Sequence, residues 1–197
     1  MRRVLIVILT IALLLTGCGS GKKGPDPHPD WDPDWVRVHP HLGVETPDGF
    51  ALRENSDALR SEGLYYASWY AGEERQVTDS EGKESTVYDA QLHVLVKVSE
   101  TAEEAGADLE DWITIERGAY EAGDEQGLDA AGQTYRLLLL DSPNGDRPYP
   151  HGAAAFALCG TAAISVELLC AEDWPGEAEA VLRQFLEGFH YGFPAEN

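Results

Sequence analysis

Basic residues are scarce in this chain: 14 lysines and arginines stand against 35 acids in 197 residues, a formal net charge of −21. Such a surface repels a phosphate backbone, which excludes nucleic-acid binding, and it gives no electrostatic hold on an anionic membrane. Cysteine is nearly absent, with three residues, so the fold must stand on its core and not on a disulfide framework. No apolar run reaches the roughly eighteen residues that a membrane-spanning helix needs. The sequence holds no Gly-x-Ser-x-Gly elbow, His-Glu-x-x-His pair, phosphate loop or dinucleotide fingerprint. Hydrophobic residues at 43% and charged residues at 25% match ordinary globular usage, which excludes a wholly disordered chain. The length suits one domain with a tail.

What is there begins with export. Arg2 and Arg3 precede an apolar run from Val4 to Leu15 broken only by Thr10, the layout of a signal peptide. The pair lacks the flanking residues of a twin-arginine signal. Leu15-Thr16-Gly17-Cys18 resembles a lipobox, the processing site of bacterial lipoproteins. The resemblance implies a diacylglycerol on the Cys18 sulfur and cleavage after Gly17. Two acyl chains anchor stably where one does not. Loss of residues 1–17 takes away two arginines and no acid, leaving −23. Residue 19 is glycine, not the aspartate that retains some lipoproteins at an inner membrane. The expected place is outside the cytoplasm, on the outer face of a membrane.

Residues 18–43 read as a lipidated end followed by a tether. Prolines 25, 27, 29, 33 and 40 argue for an extended spacer. Asp30, Asp32 and Asp34 alternate as at the start of a calcium loop, with His28, His39 and His41 close by. Trp35 stands where that loop needs glycine and His41 where it needs glutamate. The His39-Pro40-His41 pair lacks the partners of a zinc site. No metal and no cofactor is therefore expected, with weak divalent-cation capture kept as an alternative. Trp31 and Trp35 are expected to dock on the domain or at an interface.

From residue 44 to 192 the patterns mix strand and helix, and 193–197 is a tail. A turn at Thr46 to Phe50 leads into a short strand through Leu52. Leu64 to Ala71 reads as a strand covered on both faces. Residues 72–86 read as a loop or hairpin tip. From Val87 to Val98, Ala90, Leu92, Val94, Val96 and Val98 point one way, with Gln91, His93 and Lys97 opposite. His93 is thus a solvent-side or half-buried strand residue and not a base. Thr101 to Glu104 spells a capping box, opening a helix with Leu109, Trp112, Ile113 and Glu116 at helical spacing. Short strands follow at 119–122 and 126–130, then a Gly132 turn and a strand from Thr134 to Leu140 broken at 141–146. A hairpin over 153–159 and 163–170 turns near Gly160. A last helix begins at Asp173-Trp174-Pro175, carries Val181, Leu182, Phe185, Leu186 and Phe189, and stops at Gly192.

Strands, helix, strands and helix without a βαβ repeat make an α+β domain, an antiparallel sheet with helices packed on it. That order, the Gly49-Phe50 lead-in and the closing amphipathic helix resemble the PsbP-like fold of small extracytoplasmic or lumenal domains, many of them lipoproteins. The resemblance implies a fold and no catalytic residue.

Cys159 and Cys170 lie about six residues apart along that hairpin, roughly 20 Å, too far for a disulfide. They are expected free, buried and inert, although His151 or His190 near either would reopen a nucleophilic role. The carboxylate pairs Asp108 with Asp111 and Glu177 with Glu179 read as solvated surface. Arg117, Arg136, Arg147 and Arg183 are too scattered for an anion site. Tyr149-Pro150-His151-Gly152 reads as a loop that could line a groove. The expected function is a non-catalytic lipoprotein binding a protein or ligand at the envelope through Trp69, Tyr70, Trp174 or the tether tryptophans. The alternative is a hydrolase whose site is dispersed along the chain.

Overall fold

Alternating apolar side chains build the centre of the molecule. A computed structural model describes residues 26–56, 62–78, 82, 84–144, 147–174 and 176–193. The expected signal peptide, Cys18, Pro175 and the 194–197 tail lie outside the described residues. Strands β3 (Phe50–Ser56), β4 (Leu64–Ala71), β7 (Ala90–Val98), β8 (Tyr120–Ala122), β9 (Gln126–Ala130), β10 (Gln133–Pro143), β11 (His151–Cys159) and β12 (Ala162–Cys170) form an eight-stranded antiparallel sheet. Its order is β3-β4-β7-β12-β11-β10-β8, with β9 also paired to β10. The expected alternation in β7 is met: Ala90, Leu92, Val94 and Val96 are buried and the intervening residues partly exposed.

One face of this sheet carries helix α1 (Ala102–Ala119), opened by the Thr101–Glu104 capping box. Ala105, Leu109 and Ile113 pack down on Ala154, Phe156, Leu138 and Ala163. Lys97 and Ser99 reach Asp108 on the helix at 2.5 and 2.8 Å, so Asp108 ties α1 to β7 and is not free surface. The opposite face holds the larger core with helix α2 (Ala178–Glu187) and a second sheet, β1 (Val36–His39), β2 (Leu42–Val44) and β13 (Phe189–Tyr191), in the order β1-β2-β13. Trp69 is wholly buried there, edge-on to Phe185 at 5.3 Å. The domain is thus α+β, an antiparallel sheet with helices packed on it.

Three local expectations are corrected and a fourth is narrowed. The spacer expected through residue 43 is already strand from Val36. Its own alternation of Val36, Val38, Leu42 and Val44 is completed only by β13, from the far end of the chain. Residues 75–78 and 84–87 pair as a hairpin, β5 (Arg75–Thr78) and β6 (Glu84–Val87), which decides between the loop and the hairpin tip read there. The last helix starts at Ala178 and stops at Gly188, so Phe189 joins the core from a strand, not from the helix. Finally, β10 continues to Pro143, because Asp141 and Pro143 pair with β8 inside the expected break. The β9–β10 turn uses two positive φ angles, 47° at Ala131 and 76° at Gly132, the two-residue hairpin geometry that glycine eases.

Candidate functional site

The N-terminal segment is a strap laid over the small sheet. Asp26 and Asp32 accept the backbone N–H of His28 and Asp34, each at 2.9 Å, which closes two tight turns. Trp31 stacks on His28 at 4.1 Å and takes the Arg37 guanidinium over its ring at 4.6 Å. Trp35 stacks on His190 at 3.4 Å, and His190 meets Glu45 at 2.8 Å. Two glycines permit this approach. A Cβ on Gly43 would sit 3.2 Å from the Trp31 ring, and one on Gly192 would collide with the His28 imidazole. Both tryptophans therefore dock on the domain.

The strap joins His28 Nε2 to His41 Nδ1 at 3.0 Å, and His39 Nδ1 accepts the His41 N–H at 3.0 Å. Asp30, Asp32 and Asp34 do not join them. Among the described residues no group of three His, Cys, Asp or Glu side chains could hold a metal ion. Burial, then the neighbouring His28, holds the His41 imidazole below its ordinary value of 6.5. A folded-state pKa below the unfolded one gives stability that is full above pH 6.5 and lost as pH falls through the folded value. The strap should therefore loosen in acid. Amide exchange at Trp31 and Trp35, corrected for intrinsic rate, is expected to rise between pH 7.5 and 5; an unchanged profile would contradict the account.

A second cluster lies beneath α1. Ser68, His93 and Glu167 are directly opposed on β4, β7 and β12 and so share one face. His93 Nδ1 is 3.5 Å from Glu167, its Nε2 donates to Gln91 at 3.1 Å, and its side chain is 25% exposed, as the alternation required. Glu116 descends from α1 to hydrogen-bond Glu167. Burial first, then the Glu167 charge and that bond, push the Glu116 carboxyl up to about 9, against the pull of Arg147. Burial likewise raises the phenols of Tyr66 and Tyr120. Arg147 sits 5.4 Å from the Tyr120 ring. Ser, His and Glu thus stand in triad order, but Ser68 is fully buried. Its hydroxyl lies near the Tyr66 phenol, easing that group's ionisation, yet makes no full hydrogen bond. The His93 nitrogen that would activate a serine is turned to Gln91. A base-to-hydroxyl contact, the core of acyl-transfer chemistry, is not made.

The other expected residues fall apart from one another. Cys159 and Cys170 are free and buried. Their ladder partners Ala162 and His151 put them eight positions apart, about 27 Å at strand rise, farther than expected. Burial pushes their thiols up to about 11 and 12. Cys170 lies opposite His151 in the ladder, but its thiol is buried. Pro150, His151 and Gly152 do line a shallow groove of about 550 Å³ with Asp141, Glu172 and Glu177. Tyr149 turns inward instead, its hydroxyl accepting the Tyr88 N–H at 2.9 Å. Arg136 clamps Glu110 and Glu125, and Arg183 pairs with Glu179 at 3.1 Å.

The expected aromatic patch is partly corrected. Trp69 is core, and Trp174 packs beside Phe50 at 6.1 Å on the α2 side. Tyr70 instead meets Tyr88 at 4.3 Å on the other face. Arg53, at the β3 bulge, stands 4.9 and 5.3 Å from those two rings. Its guanidinium donates to the Tyr88 hydroxyl at 2.5 Å, and that hydroxyl donates to Glu74 at 3.0 Å. Helix α1 does not extend substantially over β3 or β4. The signals for this patch and for the buried cluster were present in the sequence as a lone glutamate in apolar β12 and an arginine in an edge strand. Nothing local linked them to their partners.

No family model and no curated protein matches the chain. Among solved structures it is similar to cyanobacterial PsbP (CyanoP) from Synechocystis sp. PCC 6803, at 14% identity and a TM-score of 0.37, covering 75% of this chain and 95% of that one. It is also similar to a protein of Bacteroides thetaiotaomicron VPI-5482, at 10% identity and a TM-score of 0.40, covering 80% of this chain but 47% of that one. The first bears the name of the fold family that the sequence resembles. Both scores fall below 0.5, so neither carries an argument, and the α+β class rests on the strands and helices themselves.

Proposed function

We propose that the protein is an extracytoplasmic lipoprotein, anchored through Cys18, whose domain binds a partner protein at the envelope and catalyses no reaction. The observation that carries the binding reading is the Arg53–Tyr70–Tyr88 patch. Arginine and tyrosine dominate interface hot spots. Here they are held in place before any partner arrives, which lowers the ordering cost of binding. The burial of Ser68 and of the raised thiols of Cys159 and Cys170 supports a non-catalytic role.

Truncating one hot-spot side chain costs about 2 kcal/mol, roughly thirtyfold in affinity. Arg53→Ala and Tyr88→Ala should each sharply reduce recovery of a specific partner by the affinity-tagged lipoprotein from solubilised membranes. The melting temperature should stay within a few degrees, since both side chains are surface groups. Equal recovery by the variants and the parent would remove the patch from the account. The Ser68–His93–Glu167 row keeps the hydrolase reading testable: it requires an activity that Ser68→Ala abolishes.

A further inference from the structure

The strap changes how far the domain stands from its anchor. Resting on the lipoprotein reading above, we propose that the Arg53–Tyr70–Tyr88 patch serves a partner seated in the same membrane as the lipid on Cys18. Were residues 18–43 a free spacer, twenty-six peptide steps would separate the lipid from the fold, a reach of roughly 90 Å. Asp26 is instead held in the first turn of the strap, and its carboxylate accepts the His28 N–H. Eight steps then remain between Cys18 and the folded protein, at most about 28 Å.

The pole that carries the strap must therefore stay near the lipid. The patch lies on the far face of the large sheet, and β3 ties it to that pole. Asn55 on β3 donates to the Arg37 carbonyl of β1 at 3.1 Å, and Arg53 lies two residues along the same strand. A partner deep in the envelope is out of reach of such a surface, whereas one embedded beside the anchor is not. The acids of the strap, Asp26, Asp30, Asp32 and Asp34, disfavour anionic lipid itself as the occupant.

Freeing residues 26–35 lengthens the linker from eight steps to eighteen, which lowers the effective concentration of the patch at the membrane about threefold. Two variants free it from opposite sides. Gly192→Ala drives a Cβ into His28, and the double substitution His28→Ala with Trp31→Ala removes the side chains that dock, so a folding defect in one does not decide the matter.

The test uses the full lipidated chain in phosphatidylcholine vesicles, with a donor dye on Cys replacing the exposed Asp48 and an acceptor dye in the lipid. The buried, high-pKa thiols of Cys159 and Cys170 do not compete for label. Energy transfer is expected to be strong in the parent and to fall in both strap variants. On intact cells, benzoylphenylalanine in place of the exposed Ala51, the ladder partner of Tyr70, is expected to cross-link a partner that resists alkaline extraction, with about threefold less product in the strap variants. Vesicle-bound protein with equal transfer in parent and variants would overturn the proposal while leaving the anchor intact. So would a cross-linked partner that is soluble, or no cross-link at all. Protein that never stays with the vesicles would overturn the anchoring reading and this inference with it.

Discussion

Glu116→Gln should stabilise the domain above neutral pH by on the order of 2 kcal/mol and flatten its pH dependence. In the folded protein, burial and Glu167 push the Glu116 carboxyl from its ordinary 4.5 up to about 9. The unfolded chain releases that proton near 4.5. Between those values the folded state binds more protons, so stability is greatest at the acid end of the window and falls as pH rises through it. Glutamine has no proton to lose and can still donate an N–H to Glu167. At pH 7.5 the full displacement would correspond to about 4 kcal/mol. Half of that is a fair expectation, because α1 can yield enough to let water reach the pair. In a domain of this size the melting temperature should rise by roughly 4–8 °C. Urea titrations at pH 5, 7 and 8.5 measure it. The parent should weaken towards alkaline pH while the variant holds level; parallel curves would show that Glu116 ionises freely in the folded state.

Cys18→Ser should abolish membrane retention. The reading gives the mature chain one means of attachment, the acyl chains on the Cys18 sulfur and new N-terminus. A serine supplies no sulfur for the diacylglycerol bond. The mature charge of −23 offers no electrostatic substitute, and no described helix is long and apolar enough to cross a membrane. Since each buried methylene contributes about 0.8 kcal/mol, loss of the acyl chains should lower the membrane-bound mature fraction at least a hundredfold. Labelled palmitate incorporation should vanish with it. Full retention by the serine variant after alkaline extraction would mean that something other than Cys18 holds the protein.

How much of this was legible in the sequence depended on distance along the chain. β4 lies where its aromatics placed it, and β7 where its alternation did, because a strand's period of two is written within nine residues. The Thr101–Glu104 capping box is equally local and is present as read. The separation of Cys159 from Cys170 followed from hairpin geometry, and the true register only widened it. Long-range pairing was not legible. Val36 to Gly43 looked like spacer because prolines precede and interrupt it and because its strand partner, Phe189 to Tyr191, is about 150 residues away. Ser68, His93, Glu116 and Glu167 are likewise spread over a hundred residues and are united only by sheet register and by one helix crossing. In the sequence His93 was the polar position of an alternating strand and Glu116 one more residue at helical spacing. The strap tryptophans were read correctly as docking groups, while the aspartates beside them close turns and gather no ligand set.

The lipid anchor underlies both the proposed place of the protein and the short reach of its patch, and one mass measurement addresses it. Intact-mass analysis of the protein from the membrane fraction, followed by fragmentation of its first peptide, reports what occupies the N-terminus. The expected species begins at Cys18, lacks residues 1–17 and carries a diacylglyceryl group on sulfur. A chain that retains residues 1–17, begins elsewhere, or carries an unmodified Cys18 thiol would contradict the account at its root.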